Sequence, residues 1–224
     1  MTTADAAAPA DPLSGDEAAS GFAARVRTET QEAHDSAEHS AFMDDLLAGR
    51  LDAQAYTALL GQYLHLYRVL EAVESRFESA PELAAVLDPR LHRAAALEQD
   101  LAALTDGAPV TPPTPETAEY MARLSDLQPE EPERFFAHHY LRYLGDLSGG
   151  QVIGRLAVRH YGIPETALRT WRFEGIERLK PYKDAYRQAL DSAPLSARQQ
   201  DAFIAEASAG FTLARDLFEG LRQE

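Results

Sequence analysis

Residues 142–154 read RYLGDLSGGQVIG, with four glycines in thirteen positions. The flanking sequence is apolar and helical in pattern. An interior glycine costs a helix about 1 kcal/mol relative to alanine, so four cost roughly 3 to 4 kcal/mol before packing is counted. A helix that keeps them does so because something needs its backbone bare. The glycines stand at 145, 149, 150 and 154, so two pairs spaced by four each share one side of the helix. Small-residue contact with another helix is one use of that spacing. Consecutive Gly149-Gly150 also invites a kink, and a kinked surface without side chains lets a flat planar ligand lie against the backbone.

Outward from this stretch the helical spacing continues. Residues 133–161 are expected as one long apolar helix, ended by Gly162-Ile163-Pro164. Near the start, Phe22, Val26, Ala33 and Ala37 recur at helical spacing and predict a first helix over 22–42. Asp52 is a candidate N-cap for a second, about seven turns long, whose stripe includes Tyr56, Leu60, Tyr63, Tyr67, Leu70 and Phe77 before Pro81. Residues 91–104 make a third and 116–127 a fourth, separated by the loop sequence TDGAPVTPPTP. Residues 165–190 are expected as helix divided near Lys180-Pro181, because proline removes a helical hydrogen bond. Residues 196–221 complete the set. No strand alternation of useful length and no internal repeat is present, so the fold class is all-α, with one domain over 20–222.

The 224 residues carry 21 Lys plus Arg against 36 Asp plus Glu, a formal charge of −15. That balance argues against nucleic acid or an anionic membrane as partner and makes any basic cluster a local device. With 45% hydrophobic and 25% charged residues, a real core is expected. The absence of cysteine excludes disulfides, thiolate metal sites and cysteine nucleophiles. No run of about 18 or more apolar residues is present. The opening MTTADAAAPADPLSGDEAA has acids and prolines where a signal peptide needs basic and then apolar residues. Residues 1–19 are therefore read as a disordered leader on a cytoplasmic protein, with a monomer as the default state.

A planar ligand held without cysteine points to haem, which needs an axial nitrogen or a methionine. Of the seven histidines, His34 stands out because Glu38 lies one turn later on the same face. Glu38 can accept a hydrogen bond from the ring nitrogen that does not bind metal and so fix the tautomer; an exposed i,i+4 pair has the same spacing. Asp146 is either a solvent-facing residue at a kink or a buried carboxylate that holds ordered water beside a metal-bound ligand. Lys180, Lys183 and Arg187 form a basic patch that, with Arg27, suits the two carboxylates of a ligand. A helical di-iron protein is a competing class, but none of the seven histidines has Glu three residues before it. A haem sensor or carrier and a non-catalytic interaction domain are the others; the glycines with Asp146 favour an enzyme.

Together these residues resemble haem oxygenase, most closely its bacterial biliverdin-producing members. TQEAHDSAEHSAFMDDLLAGRL (30–51) is similar to that family's proximal-histidine segment. HHYLRYLGDLSGGQVIGR (138–155) resembles its distal helix, and LKPYKDAYRQAL (179–190) its propionate-binding segment. The resemblance implies a helical fold with haem between a proximal helix and a kinked distal one. It implies His34 as the iron ligand and Glu38 as the carboxylate bonded to it. Gly145 and Gly149, with Ser148 and Gly150 beside them, would cross the haem face. Asp146 would organise the distal water network, with Arg142 and Tyr67 in support. Arg27, Tyr140, Lys183 and Arg187 would engage the propionates, and Phe211 would form a pocket wall. Ala214 departs from relatives that carry Asn there, which removes one polar contact of that network. The implied reaction consumes O2 and electrons from a ferredoxin or flavoprotein reductase. It converts haem b, both substrate and cofactor, to biliverdin (the α isomer), carbon monoxide and ferrous iron through a ferric hydroperoxide.

Overall fold

The computed structural model describes residues 21–222, and the leader expected over 1–19 lies outside them. Regular structure among the described residues is helical throughout. The helices are α1 (Phe22–Glu38), α2 (Ala41–Leu47), α3 (Ala53–Glu74), α4 (Ala94–Leu104), α5 (Pro115–Ser125), α6 (Pro132–His139), α7 (Gln151–Tyr161), α8 (Leu179–Ser192) and α9 (Ala197–Gly220). Local chemistry sets several starts. Asp52 accepts from Ala55 N at 2.9 Å, Thr114 caps α5 ahead of Pro115, and Ser196 with Gln199 forms a reciprocal capping box on α9. The core lies where α3 packs on α4 and α5, and where α9 packs on α1, α5 and α6. Tyr56, Leu59, Leu60, Tyr67 and Leu70 of α3 are wholly buried there, and each apolar side chain so placed stabilises by about 1.5–3 kcal/mol.

The glycine-rich stretch runs from α6 to α7 without leaving helical dihedrals: Gly145 has φ −59° and ψ −49°, and Gly150 has φ −55° and ψ −34°. The expected kink takes the form of two wider π-type turns, Tyr140–Leu144 and Asp146–Gly150. Such turns are typical of helices interrupted at functional sites. Gly162, at φ +65°, ends α7 in the left-handed conformation that favours glycine.

Three expectations are corrected. The first helix is two: it stops at His39, and Ser40 starts α2, with Ala41 N donating to Glu219 Oε1 at 3.0 Å. Residues 165–178 are not an α-helix but two short 3₁₀ turns and a loop. Long-range partners outbid the helix there. Asp100 accepts from Arg169 N and Thr170 N, and buried Arg93 donates to the Thr170 and Arg172 carbonyls. Pro181 does not divide a helix; it sits in the first turn of α8, where no intrahelical N–H bond is lost.

Candidate functional site

Between α1, the glycine-rich turns and α9 lies a cavity that opens to solvent and, counted together with the solvent in its mouth, holds about 1040 Å³ free of protein atoms. Its wall contains His34, Glu38, Tyr140, Arg142, Gly145, Asp146, Ser148, Gly149, Gly150 and Phe211 from the sequence-derived candidates, together with Tyr63, Ala214 and Phe218. Arg27, Tyr67, Lys183 and Arg187 are set back from this wall.

His34 projects from α1 with its side chain 12% exposed, and the edge-on ring of Phe211 lies 5.4 Å away between centroids. Its Nδ1 is 3.2 Å from Asp35 Oδ1 and 3.7 Å from Glu38 Oε2. The nearer carboxylate is thus Asp35 and not the expected Glu38, which stands beyond hydrogen-bond distance. With Nδ1 beside two carboxylates, Nε2 is the ring nitrogen left to take a ligand.

Opposite His34, the glycines divide by function. A Cβ added at Gly145 or Gly149 meets nothing within 4 Å, so these positions border open cavity. A Cβ at Gly150 would lie 2.5 Å from Trp171 Cε3, and one at Gly154 2.9 Å from Trp171 Cδ1. The second pair has a buried indole packed against it, and Gly150 borders the cavity as well. Trp171 is itself held by Nε1 donating to Tyr56 OH at 2.9 Å.

Asp146 is buried. Its Oδ2 accepts a hydrogen bond from Tyr67 OH, and its Oδ1 is 3.8 Å from Arg142 Nη2. Burial raises the Asp146 pKa, and the Arg142 charge and the Tyr67 hydrogen bond oppose that rise without cancelling it. Both Nε and Nη2 of Arg142 lack a hydrogen-bond partner, so polar groups with unfilled capacity face one another beside the bare helix. At the cavity edge, Lys183 Nζ donates to Ser148 Oγ at 2.9 Å. The basic patch is less free than the sequence implied, since Arg187 and Lys180 both pair with Asp184, at 3.0 and 3.3 Å. Burial pushes the Tyr140 hydroxyl up to about 12, against the charges of Arg187 and Arg27.

Sequence reasoning missed Asp35, Tyr63 and the Trp171 contact. Only Asp35, adjacent to His34, carried a local signal.

The donor set fits haem. His34 and the glycine-bearing turns line one apolar cavity, and Lys183 reaches its lining residue Ser148, a cation within reach of a ligand carboxylate. No helix among the described residues is long and apolar enough to cross a membrane. Comparison with known proteins agrees. The family described as heme oxygenase matches residues 20–220. Heme oxygenase 1 of Pongo abelii is 34% identical over 203 residues, covering 88% of this chain and 70% of that protein. The structure of heme oxygenase from Leptospira interrogans matches with TM-score 0.82 and 32% identity, over 88% of this chain and 98% of that one. Heme oxygenase-2 from Synechocystis sp. PCC 6803, solved in complex with heme and NO, matches with TM-score 0.85 and 30% identity over 91% and 86% of the two chains. With its single helical domain and this cavity, the chain belongs to the haem oxygenase family of haem-degrading enzymes.

Proposed function

We propose that residues 20–222 form one catalytic unit that cleaves haem b to biliverdin, carbon monoxide and ferrous iron, using O2 and electrons from a ferredoxin or flavoprotein reductase. The observation that carries this reading is the opposition of His34 to the open faces of Gly145 and Gly149. Haem, when bound, supplies the iron that activates O2 and is itself the molecule oxidised. His34 would hold the iron through Nε2, while Asp35 accepts from Nδ1 and orients the imidazole, with Glu38 close by. Gly145 and Gly149 let the backbone approach the ring plane. Asp146 acts through water. With Oδ2 occupied by Tyr67, Oδ1 and the free donors of Arg142 can hold an ordered molecule between them and pass a proton across the distal face. Arg27, Tyr140, Lys183 and Arg187 bind the propionates, with Lys183 exchanging Ser148 for a carboxylate. Such pairing would orient the ring for attack at the α-meso carbon. Phe211 buttresses His34. The same basic edge is where an acidic ferredoxin-type donor would dock on an otherwise acidic, monomeric, cytoplasmic protein.

The test is a titration of the purified protein with one equivalent of haemin, followed in air after adding reductant or reductase with catalase present. Loss of the Soret band with growth of a bilin band and release of carbon monoxide is the expected result. A haem complex that survives repeated reduction intact would instead describe a carrier.

A further inference from the structure

Arg142 is a buried cation with an incomplete set of polar neighbours. Its side chain is 6% exposed, its Nε and Nη2 have no hydrogen-bond partner, and its carboxylate neighbour Asp146 stands 3.8 Å away. The guanidinium rests mainly on aromatic surface: Cζ is 4.4 Å from the centroid of Tyr63 and 5.2 Å from that of Tyr67. These tyrosines are one turn apart on α3, 6.3 Å between centroids and inclined at 83°, so they form a corner that receives the charge. A cation on a ring face gains most where water is excluded, as here, and a buried charge without such support is costly. The two rings have different neighbours. Tyr67 gives its hydroxyl to Asp146 and lies behind the cavity wall, whereas Tyr63 lines the cavity beside Arg142. Ala214 and Phe218 line the same cavity and offer the guanidinium no polar partner. Arg142 and Tyr63 both border the cavity, and the Tyr63 ring is the nearer aromatic surface on which the guanidinium rests.

We propose that Tyr63 is a positioning residue whose ring clamps Arg142 at the cavity wall and keeps its charge directed at Asp146. The ring carries the charge and the Tyr63 hydroxyl, which also interacts with Arg142, is secondary, so phenylalanine substitutes for Tyr63 and an aliphatic residue does not. Without the clamp the guanidinium is free to turn into the cavity, and Asp146 loses its main opposing charge. Asp146 is faced by Arg142 and Tyr143 of its own helix, by Tyr67 of α3 with Tyr63 close by, and by Arg93 ahead of α4. Among these, Arg142 does most to offset the rise that burial imposes on the Asp146 carboxyl. The role in turnover rests on the haem reading above; the clamp itself does not.

The first measurement is therefore made without haem, on the Arg142 Nε–H resonance. It is expected upfield of the ordinary arginine range in the parent and in Tyr63→Phe, and near the ordinary range in Tyr63→Leu. An ordinary position in the parent refutes the clamp with no variant needed. The second uses the haem-loaded protein and follows the acid limb of turnover and of the ferric absorption spectrum. Tyr63→Leu moves that limb upward by about one pH unit or more, the size expected when an opposite charge leaves a carboxylate, and Tyr63→Phe restores the parent position. An unshifted limb in Tyr63→Leu, or equal shifts in both variants, overturns the proposal. A parent that binds haem without degrading it would instead sink the functional reading and leave the resonance result standing.

Discussion

Alanine substitutions at the four glycines separate the two reasons for their presence. At Gly145 the backbone is already helical, at φ −59° and ψ −49°, and a Cβ meets nothing within 4 Å. Gly145→Ala therefore adds helix propensity without a clash and stabilises the haem-free protein by about 1 kcal/mol. For a chain of this size that raises Tm by about 2–4 °C. At Gly150 the new methyl lands 2.5 Å from Trp171 Cε3. The indole cannot simply move, because it is buried and tied to Tyr56 OH. Overpacking of this kind costs about 1–3 kcal/mol, which cancels or exceeds the propensity gain, so Tm holds level or falls. With haem the order reverses. Gly145→Ala and Gly149→Ala put a methyl into the space the ligand needs, so the rise in Tm on adding haemin shrinks in both, while Gly150→Ala retains more of it if the fold survives. The assay is thermal unfolding by circular dichroism with and without one equivalent of haemin. A haem-free Gly145→Ala protein destabilised like Gly150→Ala would refute the open-space argument. An unchanged haemin response at both 145 and 149 would refute the idea that the bare backbone serves the ligand.

Other perturbations have equally definite outcomes. His34→Ala should lose the axial-imidazole spectrum and turnover; an unchanged haem spectrum would assign the ligand to another histidine. Asp146→Ala should bind haem with little loss of affinity yet form no bilin, and normal turnover would remove Asp146 from the mechanism. Burial works to raise the Glu206 pKa, but hydrogen bonds from His138 and Arg123 overcome it and hold it at about 2. A folded pKa below the unfolded one means this group's stabilisation is full above about pH 4.5 and is lost as pH falls toward 2. Glu206→Gln should cost about 1.5–3 kcal/mol at pH 7 by weakening charge-assisted hydrogen bonds with His138 and the partly exposed Arg123 and flatten that acid dependence in urea titrations; an unchanged acid slope would contradict the assignment. Lys183→Ala removes the bond to Ser148. It should change haem-free stability by no more than about 1 kcal/mol while weakening haem binding and broadening the set of biliverdin isomers resolved by chromatography.

Periodicity and punctuation decided much of this protein in advance. The α3 stripe, the cap at Asp52, the stop at Gly162 and the all-helical class are local properties, written in residues within a turn or two of one another. The glycine cluster and His34 were equally visible, because a helix carrying such a propensity penalty needs a reason. Tertiary structure decided what local spacing cannot encode. Residues 165–178 have helical composition, yet Asp100 and Arg93, some 70 to 80 positions away, take their backbone groups. The glycines look alike in sequence, but one pair faces a cavity and the other faces Trp171. Tyr63 belongs to the same apolar stripe as its neighbours, and only the placement of Arg142 over its ring distinguishes it. Helix formation and capping are short-range events along the chain, whereas cavities, buried charges and the faces that hold them arise only where distant segments meet.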